Sequence, residues 1–215
     1  LTWAIEDGTL TISGEGEMND FGGYSQVPWY KYRDSFTKAE VQSGVTTVGE
    51  NAFVWMDQMT EVTLPDTLTS IGDYAFQWCG GLEGITIPTG VTYIGDKAFC
   101  NCDTMTYASI PEGVTYIGSS AFEDTEMLTE VSIPSTVTEI GASAFQNSGI
   151  RQASIPGAAK LGKDIFSYSD LTTVELGYGI TEITRGMFYQ CKNLTSVSIP
   201  GSAKVIGAIA FCDCT

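Results

Sequence analysis

The chain has 215 residues, enough for a sizeable core, and its 26 acidic against 10 basic residues give a net charge of −16, which disfavours nucleic acid and anionic lipid as partners. Histidine is absent, which excludes Ser-His-Asp and Cys-His catalysis and imidazole-based zinc sites. No apolar run reaches the roughly 18 residues of a membrane helix, and the opening LTWAIEDGTL has neither a charged n-region nor an h-region.

Bases are unevenly placed. Between Val41 and Ile150 the only one is Lys97, whereas Arg151, Lys160 and Lys163 follow closely. Such an acidic surface keeps a protein soluble, and that reading outweighs a dedicated site for a cation or basic partner. The missing initiator Met and the unfinished last unit at CDCT read as a piece of a longer protein.

In the first 40 residues, Trp3 and Ile5 alternate with polar neighbours, as do Leu10 and Ile12, around Asp7-Gly8. This predicts a β-hairpin. The stretch GEGEMNDFGGYSQVPWYKY follows, rich in glycine and aromatics.

From residue 41 to 215 one block recurs: SIGDYAF from Ser70, YIGDKAF from Tyr93, YIGSSAF from Tyr116 and EIGASAF from Glu139, a step of 23 residues. A second block alternates with it: LEGITIP from Leu82, MTYASIP from Met105 and LTEVSIP from Leu128. Its L-x-x-L-x-L spacing is that of a leucine-rich repeat, one short strand per unit with the proline ending it. The D-K-A-F stretch after Gly95 predicts a single helical or 3-10 turn. About eight coils result, the last incomplete, each with an apolar set that only stacked neighbours can bury. Residues 1–40 then read as a cap, with Trp3, Phe21, Trp29 and Tyr30 covering the first coil's cross-section in preference to forming a carbohydrate platform.

The combination L-x-x-I-x-I-P, then V-T-x-I-G-x-x-A-F-x-x-C, resembles the BspA-like, treponemal-type leucine-rich repeats of bacterial surface and secreted proteins. The resemblance covers about four fifths of the chain. It implies a mainly β, right-handed solenoid with a parallel sheet along one face, exported to the cell surface or medium, whose characterised members are adhesins. At LGKDIF and ITRGMF the block decays, so the coil geometry loosens there.

Cysteines one residue apart, CNC at Cys100–Cys102 and CDC at Cys212–Cys214, invite a metal or redox reading. A zinc site needs a fourth ligand that Cys79, Cys100 and Cys102 lack. Cys79 and Cys102, like Cys191 and Cys214, fall at equivalent places on adjacent coils, where a spacing of about 4.8 Å permits a disulfide. Packed, reduced thiols are the favoured alternative, because stacking already joins these turns. Cys100 shares its column with Gln77 and Glu123 and reads as a surface residue. No catalytic set or cofactor motif is present. Function therefore points to a non-catalytic binding or adhesion module for an extracellular protein or glycan; a structural spacer in a larger surface protein is the alternative, and part of a carbohydrate-active enzyme the third reading. Tyr93, Tyr107, Tyr116 and Glu130 form the candidate binding set, and the uncovered last coil predicts end-to-end self-association.

Overall fold

The computed structural model describes residues 1–215. Asp7 and Gly8 both take positive φ, 46° and 74°, which folds β1 (Thr2–Glu6) antiparallel onto β2 (Thr9–Ser13). β2 then pairs in parallel with β3 (Lys38–Val41), and β3 with Glu61–Thr63. The hairpin is thus an extension of the array's own ladder, and the array's first strand begins at Lys38. Two 3-10 helices, Tyr24–Gln26 and Tyr30–Ser35, flank Trp29. Its buried indole N–H donates to the Ala52 carbonyl at 2.9 Å and its ring lies 6.0 Å from that of Phe53. Trp29 therefore closes the end of the core, while Trp3 stays half exposed outside it.

Two parallel ladders run along the array. The L-x-x-I-x-I stretches supply the first, for example Gly84–Thr86 against Tyr107–Ser109. The stretches before each glycine supply the second, with strands of two residues such as Tyr93–Ile94 against Tyr116–Ile117. The sequence suggested only the first ladder. The second arises because each threonine ahead of it, such as Thr92, gives its N–H to the threonine carbonyl one coil back, at 2.9 Å for Thr69.

The third side of each coil is not helical. Lys97 and Asn101 take φ of 55° and 60°, and the equivalent residues of the other coils are also left-handed. One i to i+3 bond closes Gly95–Ala98 and another Lys97–Cys100, but a left-handed residue inside the first turn stops helix propagation. Its amide points instead to the next coil: Lys97 N–H donates to the Ser119 carbonyl at 2.8 Å, and Phe99 to Ala121 at 2.8 Å. The threonine amides ahead of the second ladder reach back one coil and the amides of the left-handed turn residues reach forward, so both sides knit the stack.

Between these sides lies one continuous core. Phe53, Phe76, Phe99, Phe122 and Phe145 stack face to face at centroid spacings of 5.0, 5.2, 5.1 and 5.4 Å. Such spacing requires coil backbones to touch, and glycine allows it: a Cβ on Gly118 would overlap the backbone of Gly95 and Asp96. Where the glycine column is broken by Thr184, the second ladder also breaks, between Lys160–Leu161 and Glu182–Ile183. The Phe166–Phe188 spacing there widens to 6.2 Å. This is the loosening that the decayed motifs at Leu161 and Ile183 suggested. The first ladder breaks twice, between Glu61–Thr63 and Gly84–Thr86, and between Glu130–Val131 and Gln152–Ile155. The second of these breaks coincides with a turn one residue shorter than its predecessor, Ser148–Ile150 against Thr125–Leu128.

Two substitutions test this packing. Gly118→Ala is expected to cost about 1–3 kcal/mol by overpacking, whereas Thr184→Gly leaves stability unchanged or raises it; thermal melts of both separate the two signs. Phe122→Ala is expected to cost about 3–5 kcal/mol through the cavity it opens in the stack, measured by denaturant unfolding.

Candidate functional site

Along the first ladder, alternate side chains point out, and the outward column runs Glu61, Gly84, Tyr107, Glu130. Gly84 has no side chain, so the Tyr107 ring folds back over it, occupying the space where a Cβ would stand. The ring remains 43% exposed. Beside it, the break between Glu61–Thr63 and Gly84–Thr86 opens a groove of about 500 Å³, lined by Thr60, Thr63, Glu83, Thr86, Pro88 and Tyr107 among others. Glu61, on its rim, is paired with Lys38 at 2.7 Å. The second break opens a similar groove of about 420 Å³ bordered by Ser132, Gln152, Ser154 and Thr173. Glu130 sits opposite Tyr107 in register, between the two.

Tyr93 and Tyr116 lie on the second ladder, so the candidate set is divided between two ladders. Their rings stack at 4.9 Å and 3°. The Tyr93 hydroxyl donates to Asp73 Oδ1 at 3.3 Å and that of Tyr116 to Asp96 Oδ1 at 3.4 Å. The same carboxylate oxygens accept the backbone amides of Asp96 and Ser119, at 2.8 and 2.7 Å. Partial burial, then the Asp73 carboxylate, pushes the Tyr93 phenol up to about 12. Tyr93 is 38% exposed, so its edge is presented outward while its hydroxyl is engaged.

This geometry can be set beside known proteins. The family described as BspA type leucine rich repeat region matches residues 28–151 and 92–215, in six copies. The chain belongs to this family. No curated protein matches it. Among solved structures, a leucine rich cell surface protein from Faecalibacterium prausnitzii aligns with a TM-score of 0.67 at 24% identity, over 95% of this chain and 70% of the other. The leucine rich repeat protein of Treponema pallidum aligns with a TM-score of 0.60 at 19% identity, over 96% of this chain and 82% of the other. At these identities the likeness is one of fold.

In this BspA-type chain the position three residues after each block-ending Phe, held by Cys in four coils, is a packing device. All six cysteines are free thiols. Cys79 Sγ donates to the Phe53 carbonyl at 3.0 Å and Cys102 Sγ to Phe76 at 3.2 Å, one coil back; Cys191 and Cys214 do the same to Phe166 and Phe188. At two of the three coils where the column holds an oxygen, the shorter side chain bonds within its own coil, Thr125 Oγ1 to Phe122 at 2.7 Å and Ser148 Oγ to Phe145 at 2.8 Å, while Ser169 Oγ lies 3.5 Å from Cys191 Sγ on the next coil. Burial raises the Cys79 and Cys102 thiols far above the usual range. Cys100 departs from the sequence reading, because only 3% of it is exposed. Its thiol is short, and the Asn101 amide donates to it at 2.9 Å, so longer polar neighbours lie over it. The side chains that sequence reasoning passed over are Trp55 and Trp78, stacked at 4.9 Å and 8° and 39% and 37% exposed. The signal was available: both stand two residues after the block-ending Phe. In the cap, Trp3 borders a cleft of about 180 Å³, below the roughly 300 Å³ where ligand pockets begin.

Thiol reagent at pH 8 is expected to label Cys212 in the native protein, where it is exposed, and to spare Cys79, Cys100, Cys102 and Cys191; all six react in denaturant. The elevated Tyr93 phenol contributes stability that is complete below about pH 10 and is lost as pH climbs towards 12. Tyr93→Phe is therefore expected to lose less melting temperature than wild type between pH 9 and pH 11.

Proposed function

We propose that the chain is an exported, non-catalytic binding module at a bacterial cell surface whose first-ladder face docks an extracellular protein or glycan. The observation that carries this reading is the groove beside Tyr107. A ring held over Gly84 needs no reordering to meet a partner, and it offers a rigid apolar face with a polar tip. Thr60, Thr63 and Thr86 supply hydroxyls, and Glu83 and Glu130 supply carboxylate acceptors, so the surroundings suit hydrogen-bonded contacts. Family membership supports the surface location, and leucine-rich repeats in general act by binding. No helix is long and apolar enough to cross a membrane. The stacked Tyr93–Tyr116 edge is a second contact point on the neighbouring ladder.

For the first-ladder face, the test is an array of matrix proteins and glycans probed with wild type, Tyr107→Ala and Tyr178→Ala. Tyr178 is highly exposed and lies away from the groove. Capture is expected with wild type and with Tyr178→Ala, and at least a tenfold weaker signal with Tyr107→Ala. Silence across the array, or full binding by Tyr107→Ala, contradicts the proposal.

A further inference from the structure

Trp55 and Trp78 occupy left-handed positions, φ 61° in both. Four of the other coils hold Asn101, Asp124, Asn147 and Asp213 in this column, residue types that tolerate the conformation, and the remaining two hold Tyr168 and Gln190; a bulky aromatic there is costly, and only Trp55 and Trp78 carry it on successive coils. The fold gains nothing from these rings that it does not obtain from asparagine elsewhere, and it places two indoles in solvent. The stack also stops abruptly. Asn101, next in the column, turns its amide to Cys100 Sγ, and the Trp78 face towards it has no aromatic partner.

The surroundings of that open face are acidic. Gly80, two residues after Trp78, leaves a notch in which the nearest atom to an added Cβ is Asp103 Oδ2 at 3.9 Å. Asp57 and Asp103 hold the equivalent positions on the coils before and after. Partial burial raises the Asp103 carboxyl above its ordinary range, followed by repulsion from Glu126, Asp124 and Asp57; burial likewise raises Asp57, which Arg33 partly offsets and Asp34 reinforces. An incoming cation relieves that repulsion.

The geometry points to a docking site for a basic protein segment: an Arg or Lys stem lies on the open face of the Trp55–Trp78 stack, with its head between the Asp57 and Asp103 carboxylates. Charge complementarity selects this occupant over a neutral sugar, because coils 41–150 hold a single base, Lys97, and the chain as a whole carries −16. The chain uses the same chemistry internally. The Arg33 guanidinium lies 4.8 Å from the Tyr30 ring centroid and 3.9 Å from the Asp34 carboxylate. This site lies on the turns between the ladders, apart from the Tyr107 groove.

The test is calorimetric titration with the peptide GRGRGRGRG and its citrulline analogue at physiological salt. Four proteins are compared: wild type, Trp55→Asn/Trp78→Asn, Asp57→Asn/Asp103→Asn, and Glu6→Gln/Glu182→Gln, which removes the same charge elsewhere. The arginine peptide is expected to bind wild type and the Glu6/Glu182 variant within twofold of each other, and the citrulline peptide neither. The tryptophan variant is expected to weaken Kd at least tenfold and the aspartate variant at least fivefold, with asparagine preserving the melt at its left-handed positions. Equal weakening by the Glu6/Glu182 variant, unchanged binding by either double variant, or a neutral oligosaccharide binding at the indoles in place of the arginine peptide overturns the proposal.

Discussion

Backbone contact at the glycine column sets the distance between coils, and most other features of the molecule depend on that distance. With Gly95 and Gly118 in direct apposition, phenylalanine rings meet at about the thickness of an aromatic stack, and both sets of inter-coil hydrogen bonds come into range. Thr184 shows the dependence by exception. One side chain in place of hydrogen coincides with a parted ladder and with the widest ring spacing of the column. Burial of each phenylalanine contributes roughly 1.5–3 kcal/mol, so a contact made by the smallest residue governs the largest stabilising term.

The same regularity shapes the surface. A side chain that points outward repeats at one coil spacing, so like residues on successive coils stack: Tyr93 on Tyr116 and Trp55 on Trp78. Where the column changes size, as from Tyr107 to Gly84, a ring folds over its neighbour and a groove opens beside it. The proposed contact features therefore arise both from the regular repeat, as stacked pairs, and from a change of side-chain size, as the groove. Net acidic charge is concentrated in the coils that bear these features, which is the complement that the proposed cation contact at the indole pair requires.

Much of the fold was legible in the sequence because its signals are local and repeated. The period of 23, the inward alternation of LEGITIP and the Ala-Phe pairs each reappear in the structure as strands and as the phenylalanine stack. The second ladder and the left-handed turns were less visible. Tyr93–Ile94 is too short to show alternation, and D-K-A-F has ordinary helix formers at Lys97 and Ala98, with φ of 55° at Lys97 imposed by the forward hydrogen bond to the next coil. Cys100 was misplaced because its column was judged by the polarity of Gln77 and Glu123 and not by their length. Tyr93 and Tyr116 were grouped with Tyr107 as equivalent positions on adjacent coils close to it, and repeat equivalence does not say that they stand on a different ladder from Tyr107.

Amide hydrogen exchange resolved to single residues tests the central claim, that the turn side of the coil is knitted forward into the stack. The amides of Tyr74, Lys97 and Ser120 lie in surface turns, yet each donates at 2.8 Å to the carbonyl of the following coil. They are expected to exchange as slowly as the ladder amides of Thr92 and Thr115. Exchange of these three at the rate of free surface turns, with the ladder amides still protected, would contradict it.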